Sequence, residues 1–517
     1  MTQGTAQEPF DRSISALQSN LNAGRTSAEE AVRLFLSRID ALDRATPEND
    51  LPLNSIIAVN PDIVAHAQER DRERRDGRVR GPLHGIPILV KDNIETKDRL
   101  ATTAGSLALA GNFAEQDAPC IARLRAAGAI ILGKANLSEW ANFRSNRSTS
   151  GWSAVGGLTR NPHVLDRSAC GSSSGSAAAV AAGLAVAAVG TETDGSIVCP
   201  SEVCGIVGLK PTVGLVPRTR IIPISESQDT AGPMTRCVED AALLLSVMAG
   251  RDGADRATAK ADRYRRDYAA ALDPAALRGA RLGVWRPRRA TPEVMALFER
   301  ALATLHEQGA QTVEVPAFRP PKDLWAFELS VMLAEFKAGL DAYLASTPSE
   351  VRVRSLAELI AFNRGEPREL SLFGQELFEA AEKTSLSDPA YLRARNASRR
   401  KARRVLAAAF SEHKLECLVT VTGGPSWRID LVRGDNHSGE SSGLPAVAGY
   451  PHLTVPMGTV HRLPVGLSFI GPAWSEARLL ALGYAFEQAA QARPTPSFLR
   501  SLETEAAGEL APTRASP

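Results

Sequence analysis

The strongest constraint on the fold is a strand–helix–strand pattern between residues 86 and 132. Residues 86–90 (IPILV) and 129–132 (AIIL) are short apolar runs, and residues 117–127 between them carry Ile121 and Leu124 at helical spacing. Short buried strands joined by a helix are typical of helices layered against a buried sheet. The pattern therefore predicts an α/β fold class.

Signals elsewhere along the chain agree with alternating helices and strands. Residues 27–30 (SAEE) have the spacing of a helical capping box, and residues 281–285 (RLGVW) read as a strand before a helix capped by Thr291. Residues 323–410 are predicted to be mostly helical, and residues 417–470 return to strands and loops. The chain is long enough to bury a large core without a disulfide or metal.

Charge and composition limit the partners that the sequence predicts. The 517 residues are 44% hydrophobic, and 60 basic residues against 58 acidic ones leave a net charge of +2. This balance gives no reason to expect nucleic acid or an anionic membrane as a partner. The one basic run, at residues 393–404, has no interleaved aromatic residues to stack on bases and is predicted to be the solvated face of a helix.

Targeting signals and cysteines bear on the compartment. Residues 1–10 lack the basic and apolar regions of a secretory signal, and the apolar run at residues 177–189 is shorter than the about 20 residues of a membrane-spanning helix. We therefore expect a cytoplasmic protein. The cysteines show no CxxC pair or framework spacing, so all six are predicted to be reduced, buried thiols: Cys120, Cys170, Cys199, Cys204, Cys237 and Cys417.

Histidines and a GxSxG match offer other chemistries. The eight histidines are scattered without the spacing of metal ligands, so neither a metal nor another cofactor is expected. Residues 171–175 (GSSSG) fit GxSxG, which leaves open an α/β-hydrolase with Ser173 as nucleophile. That alternative requires a strand just before the motif, but residues 160–167 are predicted to form a loop.

Three elements carry the main chemical prediction. Residues 170–176 (CGSSSGS) and 190–196 (GTETDGS) are glycine- and serine-rich, and either alone is compatible with a simple tight turn. Lys91 directly follows the apolar run at residues 86–90. It is either an exposed lysine at a strand end or a buried amine, which burial shifts towards the neutral form that serves as a base.

The order and separation of these three elements resemble the amidase signature family. Further stretches that fit the family lie at residues 133–140, 205–212, 228–234 and 463–471, and the resemblance covers about residues 10–495. Within the family the chain looks most like the bacterial peptide amidases, on the stretches at residues 193–197, 199–200, 335–344 and 373–376.

The resemblance implies a single large α/β/α domain at residues 10–495, with a twisted mixed β-sheet covered by helices on both faces. The catalytic core would occupy about residues 80–240, and a helical insertion at about residues 320–410 would form the substrate pocket. Residues 1–9 and 505–517 are predicted to be flexible termini.

The resemblance also implies roles for residues. Ser196 would be the nucleophile, Ser172 a bridging serine on a cis peptide bond, and Lys91 the base. The backbone N–H groups of Thr193, Asp194, Gly195 and Ser196 would form the oxyanion hole. The chain departs from the family at Asp194, where many relatives have glycine, and at Ser174, which also replaces a glycine.

Substrate-binding candidates follow from the same resemblance. They are Trp140, Ala141, Asn142, Phe143, Ser173 and Glu226. Trp140 and Phe143 could equally be core residues. The carboxylate of Glu226 is expected near the pocket entrance, where it would disfavour substrates that end in a free carboxylate.

Several functions remain open on the sequence. The first is an amidohydrolase that cleaves carboxamide C–N bonds through an acyl-enzyme on Ser196, deamidating peptide C-termini or other acyl amides. Alternatives are an aryl-acylamide or carbamate hydrolase with the same triad, a glutaminase subunit that supplies ammonia to a partner complex, and a non-catalytic scaffold. The expected partner is a small-molecule or peptide amide, and a homodimer stays open.

Overall fold

The computed structural model describes residues 13–315, 319–439 and 441–503, so the predicted flexible termini lie outside the described residues. The strands within this part of the chain are β1 (Ile56–Val59), β2 (Pro87–Lys91), β3 (Ile130–Ala135), β4 (Trp152–Ser153), β5 (Gly157–Leu158), β6 (Ala187–Glu192), β7 (Val207–Lys210), β8 (Thr230–Thr235), β9 (Arg281–Val284), β10 (Gln311–Glu314), β11 (Cys417–Val421), β12 (His452–Val460) and β13 (Leu463–Ile470).

The α-helices of the same residues are α1 (Ile14–Asn22), α2 (Ala28–Leu42), α3 (Ile63–Arg75), α4 (Pro119–Ala126), α5 (Ser174–Ala181), α6 (Val198–Val203), α7 (Val238–Met248), α8 (Ala261–Tyr264), α9 (Pro292–Glu307), α10 (Leu324–Ala345), α11 (Leu356–Gly365), α12 (Glu376–Ala381), α13 (Pro389–His413), α14 (Gly443–Ala448) and α15 (Glu476–Ala490). Short 3₁₀ helices lie at Leu107–Leu109, Glu139–Asn142, Arg256–Lys260 and Ala269–Ala271.

Eleven of the described strands form one mixed sheet in the order β1-β3-β2-β6-β8-β7-β12-β13-β11-β9-β10, and β4 pairs separately with β5. Strand β2 runs parallel to both β3 and β6, and β9 runs parallel to both β10 and β11. The other neighbouring pairs are antiparallel. The predicted α/β fold with a mixed sheet is confirmed.

Helices cover both faces of this sheet. Val419 and Phe469 are paired across β11 and β13, and they belong to the large core that also contains α9 and α15. Their neighbours Leu418 and Ile470 belong to a second core with α13 and α14. Because successive side chains of a strand face opposite sides, the two cores lie on opposite faces of the sheet.

Local sequence signals explain where several helices begin. At α2, the Ser27 hydroxyl accepts from the Glu30 backbone N–H while the Glu30 carboxylate accepts from the Ser27 N–H, which is the predicted capping box. At α9, the Thr291 hydroxyl accepts from the Val294 N–H and Pro292 occupies the first turn. The predicted helical region corresponds to α10–α13, and β11–β13 follow it as predicted.

The glycine-, serine- and alanine-rich stretch lets α5 pack very close to the sheet. Helix α5 is fully buried and contacts β2, β3, β6 and β8. A Cβ atom at Gly175 would lie only 2.2 Å from the Ser55 carbonyl oxygen, so no larger residue fits there. This close approach brings Ser172, two residues before α5, to the carboxyl end of β2, where Lys91 lies.

The cysteine prediction was wrong for two of the six residues. Cys170 and Cys199 form a disulfide, whereas Cys120, Cys204 and Cys417 are buried free thiols and Cys237 is a partly buried one. Cys170 precedes the Ser172 turn and Cys199 lies in α6, just after the Ser196 turn. The two cysteines become neighbours only because β6 and α5 bring these two turns together, which spacing along the chain does not reveal.

Candidate active site

Lys91 is the last residue of β2, and its side chain is fully buried. Its Nζ lies 2.7 Å from the Ser172 hydroxyl, 2.8 Å from the Thr191 hydroxyl and 3.2 Å from the Thr191 carbonyl oxygen. Burial lowers the pKa of Lys91 to about 7, although the carboxyl groups of Glu192 and Asp229 oppose that shift. A neutral amine can donate its two N–H groups to the two Thr191 oxygens and accept a proton from Ser172 with its lone pair.

Several contacts fix this arrangement. The Asn93 side-chain amide donates to the Thr191 hydroxyl over 3.0 Å, so that hydroxyl faces Lys91 in a fixed orientation. The Gly171–Ser172 peptide bond is cis, as the resemblance implies. The Ser138 backbone N–H donates to the Ser172 carbonyl oxygen over 3.0 Å. A Cβ atom at Gly171 would lie 2.1 Å from the Ser138 hydroxyl oxygen, so the turn requires glycine at this position.

Ser196 lies in the turn between β6 and α6. The Ser173 backbone N–H donates to the Ser196 carbonyl oxygen over 3.2 Å, which joins this turn to the one that carries Ser172. Within the described residues the Ser196 hydroxyl has no hydrogen-bond partner, so the Lys91–Ser172 half of the predicted relay is hydrogen-bonded and the Ser172–Ser196 half is not. Catalytic hydrogen bonds often tighten only when substrate is bound.

The turn before Ser196 presents unpaired backbone donors. Gly195 has a φ of +76°, in the left-handed region that glycine tolerates best. The buried Glu192 carboxylate accepts from the N–H groups of Ile197 (2.7 Å) and Val198 (3.0 Å), which fixes the far side of the turn. The backbone N–H groups of residues 193–196 have no acceptor among the described residues. They are therefore available to a developing oxyanion.

Two cavities of about 530 Å³ each flank the catalytic turns. The Arg218 cleft is lined by residues that include Ala141, Ser172, Thr193, Arg218, Glu226 and Leu386. The Trp325 cleft is lined by residues that include Asn142, Gly171, Asp194, Trp325, Glu328 and Trp427. At three positions along the chain, one residue lines one cleft and the next residue lines the other. The two clefts therefore meet at the turns that carry Ser172 and Ser196.

The predicted pocket residues divide between cleft and core. Ala141 and Asn142 line the clefts, but Trp140 and Phe143 are buried in a hydrophobic cluster, against Phe378 and Phe336 respectively. Their side chains therefore contribute to packing, the alternative that the sequence left open.

Glu226 and Ser173 occupy different environments. Glu226 is exposed and lines the Arg218 cleft, where its carbonyl oxygen accepts from the Arg218 guanidinium over 2.6 Å. Ser173 is fully buried, and its hydroxyl donates to the Thr191 carbonyl oxygen over 3.0 Å. Residues 161–172 form turns, bends and isolated bridges, so the strand that an α/β-hydrolase nucleophile turn requires does not precede Ser173.

Sequence reasoning missed several residues that shape the site. Thr191 and Glu192 lie inside the glycine-rich cluster at residues 190–196, but only strand pairing shows that both face buried partners. Asp229 accepts from the Thr193 hydroxyl over 2.5 Å and from the N–H groups of Ile224 and Ser225. Glu328 reaches the site from α10, far along the chain, and no local signal could identify it.

Metal and membrane features are lacking in the part of the chain that the structure describes. These residues contain no group of three or more His, Cys, Asp or Glu side chains that could hold a metal ion. None of their helices is both long and apolar enough to cross a membrane.

Known proteins match this chain along almost its whole length. The family model described as Amidase matches residues 30–480. The structure of the native peptide amidase from Stenotrophomonas maltophilia is 52% identical, with a TM-score of 0.89, over 95% of this chain and 100% of that one. The protein named "Probable amidase" from Arabidopsis thaliana is 37% identical over 95% of this chain and 92% of its own length. A glutamyl-tRNA(Gln) amidotransferase subunit from Moorella thermoacetica is 35% identical over 92% of this chain and 96% of its own length.

The chain belongs to the Amidase family, which is the amidase signature family predicted from its motifs. It is a hydrolase that acts on amides, and its structural neighbours include a bacterial peptide amidase.

Proposed function

We propose that this enzyme hydrolyses the C-terminal carboxamide of peptides, or other acyl amides, through an acyl-enzyme on Ser196. The observation that carries the proposal is the fully buried Lys91 amine, 2.7 Å from the Ser172 hydroxyl, beside a turn with unpaired N–H groups. The similarity to a peptide amidase over the whole chain supports the substrate class.

In this mechanism neutral Lys91 accepts the Ser172 proton while Ser172 accepts the proton of Ser196. The Ser196 oxygen attacks the carboxamide carbon, and the C–N bond breaks as Ser172 returns a proton to the leaving nitrogen, which departs as ammonia. Water then attacks the Ser196 ester by the same relay and releases the peptide carboxylate. A serine hydroxyl is a weak nucleophile until a neighbour removes its proton, which is what the buried lysine provides.

The oxyanion forms twice, once on each side of the acyl-enzyme. The N–H groups of Thr193, Asp194, Gly195 and Ser196 surround its position in this proposal. Loss of one such donor typically costs about 3 kcal/mol, or about 10²-fold in rate.

The proposed organisation assigns the chemistry to a core at about residues 80–240 and the substrate roof to the helices at about residues 320–410, within a domain at residues 10–495. Helix α10 lines both clefts, through Gly339 on one side and Trp325 on the other. Trp325 and Leu386, which are 62% and 42% exposed, offer apolar surface to a peptide at the two mouths. Ala141, Asn142 and Glu226 are the remaining predicted contacts that face the clefts.

Two alternative functions would use the same catalytic residues. Aryl acylamides or carbamates would place a bulkier leaving group in the clefts. The similarity to the glutamyl-tRNA(Gln) amidotransferase relatives favours, as the second candidate, a glutaminase that feeds ammonia to a partner. The long helical insertion, whose helix α10 lines both clefts, favours an enzyme that works alone.

A substrate panel tests the proposal. The purified chain, without any partner, is incubated with a peptide amide, the matched peptide anilide, a carbamate and glutamine, and ammonia or arylamine release is measured. We expect the peptide amide to have the largest kcat/KM and Ser196→Ala to abolish turnover while the circular dichroism spectrum stays unchanged. Preference for glutamine, or activity only with added partner proteins, would contradict the proposal.

The compartment is tested separately by counting thiols. The cytoplasmic location predicted from the sequence is less compatible with the Cys170–Cys199 disulfide, since such bonds persist in oxidising compartments. Alkylation of the denatured, unreduced protein isolated from its own cells should label the four cysteines that are free in the structure. Labelling of all six would instead favour a reducing compartment.

Whether the enzyme forms a homodimer is tested by its mass in solution.

A further inference from the structure

The carboxyl groups of partly buried Asp194 and buried Glu328 meet beside the oxyanion turn. Asp194, which occupies a position where many amidase signature proteins have glycine, directs its side chain to the wall of the Trp325 cleft. Glu328 of α10 is 2% exposed, and its carboxyl group lies against that of Asp194. The Ser442 hydroxyl also lies beside Asp194.

Two carboxyl groups in contact need a proton between them if neither is to lack a hydrogen-bond donor. Asp194 Oδ1 is buried, and no N–H or O–H group of the described residues donates to it. Two carboxylates in contact cannot both be ionised in a buried site, and burial together with the Asp194 charge raises the pKa of Glu328 well above its usual range. A protonated Glu328 therefore supplies the hydrogen bond that the pair requires.

Glu328 is connected to the turn at two residues. It reaches Asp194 directly, and its Oε1 accepts from the Gln228 side-chain amide over 2.8 Å. The same amide nitrogen lies 3.3 Å from the Thr193 carbonyl oxygen. One side chain on the helical roof thus holds two of the four residues whose backbone N–H groups are unpaired within the described residues.

We propose that Asp194 and Glu328 share a single proton and that this singly protonated pair positions the oxyanion turn for catalysis. The inference rests on the proposed function. Deprotonation of Glu328 would place two negative charges in contact, separate the side chains and displace the turn, so turnover would fall at alkaline pH. Glu328 is a positioning residue, since its effect reaches the reaction through Asp194 and Thr193.

The other charges around the pair do not replace this proton. Lys210 and Glu192 lie on the sheet side of Asp194 and act on it through space. Lys322, Asp435 and His437 also line the Trp325 cleft. Gln228 and Ser442, which contact the pair directly, are neutral.

The test compares Glu328→Gln, Glu328→Ala and the matched control Glu307→Gln, an exposed carboxyl at the end of α9. Glutamine keeps a donor towards Asp194 but cannot lose it, whereas alanine leaves Asp194 without a partner. We expect Glu328→Ala to lower kcat by about tenfold or more with a smaller change in KM, because a displaced turn weakens transition-state contacts. We expect Glu328→Gln to restore most of that loss.

The pH dependence gives a readout that a purely packing role would not change. For wild type and Glu307→Gln, kcat should first rise as Lys91 loses its proton and then fall at higher, alkaline pH. Glu328→Gln should lack that alkaline fall. A fall that persists in Glu328→Gln, a wild type without one, or equal kcat for the glutamine and alanine variants would overturn the shared-proton pair. If the wild type itself fails to hydrolyse a peptide amide, the proposed function fails instead.

Discussion

Two buried lysines on neighbouring parallel strands show how the same residue can serve different purposes. Lys91 on β2 and Lys134 on β3 are both fully buried, and burial lowers the pKa of each, to about 7 and about 8 respectively. Lys134 faces the charge of Asp92 and donates to the Ile94 carbonyl oxygen and, over 2.8 Å, to the Thr102 hydroxyl. Lys91 instead faces the Ser172 and Thr191 hydroxyls.

The difference lies in what surrounds each amine. A lysine that keeps a nearby carboxylate stays mostly charged at neutral pH and ties loops together, as Lys134 does. Lys91 also has carboxyl groups nearby, those of Glu192 and Asp229, but its pKa is the lower of the two and its partners include the Ser172 hydroxyl, so it can act as a base towards that serine. Burial alone therefore does not identify the base; the contacting groups do.

The largest expected effect separates the two lysines by activity. Lys91→Met should lower kcat/KM by at least about 10³-fold, because the relay loses its proton acceptor, while the melting temperature stays close to wild type. Steady-state kinetics on a peptide amide measures this effect. Lys97→Met, at an exposed lysine, is the control. A Lys91 variant that keeps a tenth of wild-type activity would show that Lys91 is not the base and does not differ from Lys134 in this way.

Lys134→Met should show the opposite pattern. Its removal leaves Asp92 buried without its cation and two acceptors without a donor, so the free energy of unfolding should fall by about 3 kcal/mol. Urea unfolding measures the loss. Adding Asp92→Asn to Lys134→Met should recover part of it, since no charge then remains. Unchanged stability in the single variant would show that Lys134 has no structural role.

Thr191→Val should have the smallest effect of the three. The change removes the hydroxyl that accepts from Lys91 and Asn93 but keeps the carbonyl oxygen, so the amine loses one of its orienting contacts. We expect kcat to fall about tenfold, consistent with a modest displacement of the base. Thr102→Val removes the corresponding hydroxyl partner of Lys134. Its kcat should stay within about twofold of wild type when both proteins are fully folded under the assay conditions.

Much of the architecture could be predicted from local patterns. Apolar runs, helix caps and the glycine-rich clusters predicted β2, β3, α2, α9 and the turns at Ser172 and Ser196, because these signals lie within a few residues of one another. The roles of Lys91 and the two serines came from the family resemblance, and the cis bond before Ser172 agrees with it.

What could not be predicted depends on contacts between distant segments. The Cys170–Cys199 disulfide forms because two turns meet across β6 and α5. The Asp194–Glu328 pair forms because α10 lines the same cleft as Asp194. Trp140 and Phe143 pack inward because of the aromatic residues contributed by α10 and α12. The spacing of residues along the chain gives no signal for these contacts.

The central claim is that neutral Lys91 activates the Ser196 oxygen through Ser172. The most direct measurement is the rate at which a serine-reactive phosphonate modifies the enzyme as a function of pH, with the adduct located by mass spectrometry. Since the charged form of Lys91 is inactive as a base, the rate should be low below pH 7, rise through about pH 7 and reach a plateau before the alkaline fall expected from the Asp194–Glu328 pair, with the adduct on Ser196. In Lys91→Met the rate should be low and lack this rise. An adduct on Ser173, or the same rise in the Lys91 variant, would contradict the account.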